Sequence, residues 1–363
     1  MRKKSKNVSR IYRQERLMGN RKIKCIDLFC GIGGFRIAAE ILRWKTVFSS
    51  DIDEECQKAY EANFGEKPVG NIKEVEGEDI PDHDILLAGF PCQSFSIIGS
   101  MKGFEDTRGT LFFDIARILQ AKHPEAFVLE NVKMLAGHNG GQTIRRIMQV
   151  LKGLGYEADY RILNALDFGL PQKRERIFIV GMKGQLDFSF PEGGVPMRPL
   201  SSILEKKVPK SFYASDHIRN NRRKLHLKPH PSPAIWHENK AGHISSYPFS
   251  CALRAGASYN YLLVDGIRRL TPRELHRLQG FSDTFQIVCN DSQARKQAGN
   301  SVPVPVVSAI LQRLDVALKR RMKKGLTESA KLLPVGSAIS PGAQDGWSEI
   351  TNSGEGKTAV PAR

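Results

Sequence analysis

Between Ile23 and Met182, apolar runs of strand length alternate with stretches whose apolar residues recur at helical spacing. Ile23 to Phe29, Val47 to Ser50, Asp84 to Phe90, Ala126 to Glu130, Tyr156 to Ala165 and Arg176 to Met182 read as strands. Gly33 to Arg43, Asp53 to Asn63, Leu111 to Ala121 and Gln142 to Leu154 read as helices. In the first of these, Phe35, Ile37, Ala38, Ile41 and Leu42 form the inward face. A helix between successive strands carries the chain back, so the strands run parallel and both faces of the sheet are covered. The expected fold is α/β, a doubly wound, mostly parallel sheet. In such sheets ligands gather at the carboxyl ends of the strands.

Past Phe190 the texture changes. Pro191-Glu192-Gly193-Gly194-Val195-Pro196 reads as a linker, and residues 197–265 lose the alternation. Arg198 to Lys228 carries nine Lys/Arg and two acids, with Phe212, Tyr213 and Trp236 nearby. Thr271-Pro272-Arg273-Glu274 is a helix start, with Thr as N-cap, Pro at the first position and Glu at the third. Val302 to Lys319 reads as a last helix, and Met322 to Arg363 as a mobile tail. The expected division is a basic extension (1–21), a catalytic and cofactor-binding domain (22–190), a smaller irregular domain (191–285), a segment returning to the first (286–321) and the tail (322–363).

The charge balance points to a polyanion. Lys+Arg 55 against Asp+Glu 38 gives +17. The first 22 residues hold nine basic side chains and one acid, yet about +9 remains on the rest. Each Lys or Arg set on a phosphate releases condensed counterions, so nucleic acid is favoured. No basic amphipathic helix or long apolar block suggests a membrane, and no signal-peptide pattern is seen, so a reducing internal compartment is expected. The six cysteines (Cys25, Cys30, Cys56, Cys92, Cys251, Cys289) are scattered, without CxxC or zinc-like spacing, and the histidines at 217, 226, 230, 237 and 243 lack ligand spacing. No metal is expected.

Two strand ends carry the chemistry. Asp27-Leu28-Phe29-Cys30-Gly31-Ile32-Gly33-Gly34 joins the first strand to the first helix, where glycines let a ligand approach the backbone and amides point outward. A dinucleotide fingerprint would place a third glycine where Arg36 stands, which disfavours a pyrophosphate. Asp51, ending the second strand, is placed to accept from ribose hydroxyls. Ribose and adenine without pyrophosphate is the profile of S-adenosylmethionine. After the third strand, Pro91-Cys92-Gln93 sets a thiol at a strand end. A lone Cys is more often a small buried hydrophobe than a nucleophile.

Six motifs in order change that balance: the glycine turn; Gly89-Phe90-Pro91-Cys92-Gln93-Ser94-Phe95-Ser96; Glu130-Asn131-Val132; Gln172-Lys173-Arg174-Glu175-Arg176; Arg269 to Glu274 through Arg277-Leu278-Gln279-Gly280-Phe281; and Gln297-Ala298-Gly299-Asn300-Ser301-Val302. With them, residues 22 to 320 resemble the DNA (cytosine-5)-methyltransferases, especially the compact bacterial type II modification methylases. Residues 197–265 match no shared pattern, as a target-recognition region would.

The resemblance implies a mechanism and its residues. C5 of cytosine is a poor nucleophile. Cys92 would add to C6 and make C5 enamine-like; the thiolate is the reactive form, and a free thiol titrates near about 8.5. Glu130, a buried carboxyl, would hold N3 and the exocyclic amine and share a proton. Arg176 would hydrogen-bond O2, with Arg174 orienting the cluster. Cofactor contacts would come from Phe29, Gly31, Ile32, Gly33, Gly34, Asp51, Ile52, Asn71 (where many members have an acid), Ile72, Phe90, Pro91, Asn300, Ser301 and Val302. The base must be rotated out of the duplex at roughly a few kcal/mol. Gln93 to Arg108, with Gly99, Gly103 and Gly109 as hinge candidates, reads as the loop that closes over it. Gln93, Ser96, Ile98, Arg108 and Arg254 would touch DNA. The implied partners are S-adenosyl-L-methionine, released as S-adenosyl-L-homocysteine, and double-stranded DNA, acted on by a monomer in the bacterial cytoplasm at the nucleoid. A cognate restriction endonuclease, against which modification protects, fits that context. A tRNA transferase of the same chemistry and a catalytically silent DNA-binding protein stay as alternatives.

Overall fold

The structure, a computed structural model, describes residues 22–91 and 111–331, with side chains to 324. Cys92, Gln93, Ser96, Ile98, Arg108 and the rest of the expected loop lie outside the described residues, as do 1–21 and 332–363. The first half contains β1 (Lys24–Leu28), β2 (Lys45–Ser50), β3 (Ile85–Gly89), β4 (Ala126–Val132), β5 (Tyr156–Asn164), the two-residue β6 (Gln172–Lys173) and β7 (Glu175–Lys183). Six of these form one sheet in the order β2-β1-β3-β4-β7-β5. Pairings β1–β2, β1–β3 and β3–β4 are parallel, whereas β7 is antiparallel to both β4 and β5. One strand therefore runs against the rest. Residues 165–174 are too short for the crossover a parallel return needs, so the chain turns back on itself.

Helices α1 (Gly34–Ile41), α2 (Glu54–Phe64), α3 (Leu111–Lys122) and α4 (Gln142–Gly153) follow the strands as the alternation predicts. The two-residue period of the strands divides their side chains between two cores. Cys25, Ile85, Leu87, Val128, Phe178 and Val180 face one side, and Ile26, Leu86, Phe127, Leu129, Ile177 and Ile179 the other, where α3 and α4 supply Phe112, Ile115, Ile144 and Ile147. Burial on both faces is why these strands read as unbroken apolar runs.

Beyond the linker, residues 197–265 are more regular than their sequence suggests. They hold α5 (Asp216–Leu225), β8 (Ile235–Glu238), β9 (Ile244–Tyr247), β10 (Ser250–Cys251) and β11 (Leu262–Val264). A small antiparallel sheet runs β11-β8-β9, and β10 pairs in parallel with β6 of the first half. Strands of two to four residues are too short to show alternation. Leu200, Ile203, Ile235, Leu253, Leu262, Leu270, Leu275 and Leu278 make a separate core. Helix α6 (Pro272–Gln279) begins with the expected capping box between Thr271 and Glu274. Arg268 grips the buried Glu274 carboxylate with two 2.8 Å hydrogen bonds.

Helix α7 (Asp291–Asn300) escaped the sequence reading because its buried positions are Ala294, Gln297, Ala298 and Gly299, too small and polar to mark a face. Helix α8 (Val304–Lys331) returns to the large sheet and packs Val306, Val307, Ile310, Leu311 and Leu314 beside α1. It runs past Met322, where a tail was expected, because Arg, Met, Lys and Leu there are good helix formers. The segment Asp291–Lys324 is long and apolar enough to cross a membrane, but 67% of its apolar window is buried in this core.

Candidate active site

The strand order places a switch at β1, whose neighbours β2 and β3 lie on opposite sides. A crevice opens at the carboxyl ends of strands at such a point. The glycine turn follows β1, Asp51 follows β2, Pro91 follows β3, and Glu130 lies near the carboxyl end of β4. β7 runs the other way, so its first residues, not its last, reach the same edge.

The turn is tight. Phe29 and Gly31 both take φ of 53°, Cys30 donates its amide to Ser50 O (3.0 Å), and Gly33 to Cys30 O (2.9 Å). The three glycines differ in purpose. A Cβ on Gly31 would meet open space, the room a ligand needs. At Gly33, φ 85°, it would lie 2.2 Å from the Phe64 ring, and at Gly34 2.6 Å from Val302 Cγ2. At those two, the missing side chain makes room for packing against α2 and the C-terminal segment. Gly33→Ala combines left-handed strain with that overlap, and should cost about 2 kcal/mol or more of stability. Thermal or urea unfolding of the variant measures it.

Asp51 is half-buried and holds the turn open. Its Oδ2 accepts from Gly31 N–H (2.7 Å) and its Oδ1 from Asp53 N–H (2.9 Å). Burial pushes its carboxyl up, and these two amides oppose that. Each oxygen keeps a lone pair for a hydroxyl. Beside it Ile52 is 73% exposed, an apolar surface at the crevice mouth. Asn71, reached through the Ser50–Val69 bridge, caps its own turn: Oδ1 accepts from Lys73 N–H and Nδ2 donates to Glu74. One of its two amide N–H groups is thus committed locally. Ile32 and Ile72 are buried core side chains, Phe90 is buried, Pro91 and Asn300 are exposed, and Ser301 and Val302 are buried beneath the turn. Asp27, under the same turn, is fully buried, and neither oxygen closes a hydrogen bond among the described residues. Burial raises its carboxyl far above the usual range, with Arg36 opposing.

The second half of the crevice is a carboxylate–guanidinium pair. Val132 pairs with Arg176 and Glu130 with Phe178, so Glu130 and Arg176 are diagonal neighbours on one face. Arg176 Nε lies 3.1 Å from Glu130 Oε1. The Gly89 Cα faces the carboxyl: a Cβ built there would sit 3.7 Å from Glu130 Oε2 and 3.7 Å from Val302 Cγ1, in ordinary contact. Burial raises Glu130 above the ordinary carboxylate range, against the pull of Arg176 and Arg174. Such a group can carry a proton where an exposed glutamate cannot.

Arg174 is near enough to bias Glu130, but its guanidinium is spent elsewhere. It is fully buried and donates to Leu253 O (3.1 Å), Gly299 O (3.0 Å) and Ser301 O (2.6 Å). Burial lowers it to about 9, still cationic at neutral pH. It positions the site rather than facing a substrate. Two further residues escaped notice as functional. Asn131 Nδ2 donates to Phe90 O (2.7 Å), fixing the backbone two residues before Cys92, and Gln172 Oε1 accepts from Leu253 N–H (3.2 Å). Both stand inside quoted motifs, and that is the one signal that could have found them. Arg254 is exposed at the surface of the small region, its guanidinium 4.9 Å from the Tyr261 ring centre. Among the described residues no group of three or more His, Cys, Asp or Glu could hold a metal ion.

Comparisons with known proteins identify the family. The family model for C-5 cytosine-specific DNA methylase matches residues 23–315. The type II methyltransferase M.NgoBI of Neisseria gonorrhoeae is 54% identical over 83% of this chain and 96% of its own. M.HaeII of Haemophilus aegyptius is 53% identical over 84% of this chain and 96% of its own. A solved DNMT2 from Spodoptera frugiperda shares the fold at 20% identity, with a TM-score of 0.64 over 81% of this chain and all of that one. With one family model spanning the crevice, the small region and the returning helix alike, the chain belongs to the C-5 cytosine-specific DNA methylases.

Proposed function

We propose that Cys92, Glu130 and Arg176 carry out the family's reaction, transfer of a methyl group to C5 of a cytosine in DNA, with Arg174 and Asn131 positioning them. The single observation that carries this reading is the Glu130–Arg176 pair at 3.1 Å, one strand away from the strand that leads to Cys92. The sulfur adds to C6 while Glu130 supplies a proton to N3, so the ring stays neutral and C5 becomes electron-rich. Arg176 donates to O2 and steadies the carboxyl. After C5 is alkylated, water takes the C5 proton, the C6–S bond breaks to release the thiolate, and N3 returns its proton to Glu130, which restores the ring.

The donor set at β1 and β2 fits S-adenosylmethionine: open space over Gly31, lone pairs on Asp51 and the exposed Ile52 side chain. Bound there, that cofactor supplies an electrophilic methyl group. Asp51 would hold its ribose, Phe29 and Ile52 would exclude water around its adenine, and Asn71 would offer its remaining acceptor capacity. Residues 191–285 read a short duplex sequence, Arg254 among the contacts, and Gln93, Ser96, Ile98 and Arg108 touch the extruded nucleotide. As with the type II relatives, modification would guard bacterial DNA against a cognate nuclease in the cytoplasm.

Methyl transfer from labelled S-adenosylmethionine to duplex DNA and to tRNA tests the reading, and bisulfite sequencing of DNA from expressing cells gives the site. Label is expected in duplex DNA, at one cytosine of a short recurring sequence. Label confined to tRNA, or spread over all cytosines, would overturn it.

A further inference from the structure

The stretch Leu253–Ala255 enters the exposed loop of the small region, yet its root is held by Gln172 and Arg174, in and just after β6. Leu253 gives its amide to Gln172 Oε1 and its carbonyl accepts from Arg174 Nη1. Gln172 in turn donates through Nε2 to Leu278 O (2.8 Å), tying β6 to α6. The Arg174 guanidinium also binds Gly299 O and Ser301 O, so one buried cation joins the loop root to the C-terminal segment.

Gly299 then touches the loop backbone directly. A Cβ there would lie 2.6 Å from Ala255 N, 3.0 Å from Ala255 Cα and 3.0 Å from the Arg254 carbonyl carbon. These are main-chain atoms that cannot swing aside as a side chain would. On the far side, Ser301 and Val302 fill the space that a Gly34 Cβ would take, at 3.2 Å and 2.6 Å. Loop root, Gly299, Ser301–Val302 and cofactor turn therefore form one close-packed series. Packed contacts of this kind transmit displacement rather than absorb it.

We propose that Gly299 is a positioning residue that couples sequence discrimination to methyl transfer, by seating the Arg254–Asn260 loop on the segment beneath the cofactor turn. The proposal rests on the reading that this loop contacts DNA. Arg254 is fixed from both sides: its amide bonds to Tyr261 Oη (3.0 Å), its carbonyl carbon lies over Gly299, and its guanidinium rests on the Tyr261 ring. A shift of a few tenths of an ångström at Ala255 moves the long Arg254 side chain out of register with a base edge.

The test uses the full chain and compares Gly299→Ala, Ala255→Gly and Arg254→Ala with the unaltered protein. The readouts are kcat/KM on a duplex carrying the bisulfite-defined site, kcat/KM on duplexes with one base pair of that site changed, and S-adenosylmethionine affinity without DNA. Gly299→Ala should lower the ratio of correct to altered site by about tenfold, roughly one base contact's worth. Its cofactor affinity should stay within about threefold, since affinity differences below that are under 1 kcal/mol. Ala255→Gly, which loosens the same seam from the loop side and decides the matter if Gly299→Ala does not fold, should move the ratio in the same direction by less. Retained discrimination in both seam variants, alongside a loss in Arg254→Ala, overturns the coupling alone. Retained discrimination in Arg254→Ala instead overturns the assignment of this loop to DNA. A Gly299→Ala defect confined to cofactor affinity also sinks the proposal.

Discussion

Cys92→Ser should abolish methyl transfer while leaving S-adenosylmethionine binding within a few-fold of the unaltered chain. The cofactor contacts proposed for the glycine turn and Asp51 lie on other strands, so the substitution removes a nucleophile and little else. A hydroxyl in place of the thiol is far harder to ionise and far less nucleophilic. The chain approaching this residue is held firmly: the Phe90 ring is buried and its carbonyl is bound by Asn131. No described thiol is a ready substitute. Cys25 is buried within β1 and Cys30 within the turn, with burial pushing Cys25 up to about 12 and Cys30 well above the usual thiol range. Cys56, Cys251 and Cys289 are raised as well, in each case chiefly by burial. Duplexes carrying 5-fluorocytosine supply the direct readout, because the fluorine at C5 cannot leave as a proton does and the adduct persists. Mass spectrometry should find the modified base on the peptide containing Cys92. An adduct on any other cysteine, or turnover by Cys92→Ser, would remove the nucleophile assignment.

The large sheet was legible because strands buried on both faces advertise themselves as apolar runs and the helices between them are amphipathic. What escaped depended on contacts between distant parts of the chain. Gly33 and Gly34 look from local spacing like ligand-approach glycines, and their packing role appears only once Phe64 and Val302 are set against them. The reversal of β7 follows from a short connection, a cue present in the sequence but masked by the strength of the alternation. Glu130 and Arg176 were named from motif order, and their 3.1 Å contact follows from strand register, which no single strand encodes. Arg174 shows the opposite case. Its place in the motif suggested chemistry, while its three carbonyl partners lie on segments 79 to 127 residues away and make it a clamp.

Glu130→Gln should reduce kcat by about 10²- to 10⁴-fold, the range associated with losing a positioned acid or base. The amide preserves the size of the side chain and can still meet Arg176 through its oxygen, but it cannot deliver a proton to N3. The pH dependence separates the two roles. With its carboxyl raised by burial, Glu130 keeps its proton above the ordinary carboxylate range and surrenders it as pH rises further. The nucleophilic thiolate gains population in the same direction. The unaltered chain should therefore give a bell-shaped kcat/KM profile, and Glu130→Gln should lose the descending limb that belongs to the carboxyl while keeping the ascending one. Stability carries the same sign. A carboxyl whose folded pKa is raised binds more protons in the native state, so its contribution is complete below the unfolded pKa and is lost as pH climbs through the folded value. Relative to the unaltered chain, Glu130→Gln should gain stability on passing from acid to neutral pH, read from urea midpoints at several pH values. An unchanged pH–rate profile with undiminished kcat would show that Glu130 orients the base without moving a proton, and the proton at N3 would then have to come from solvent.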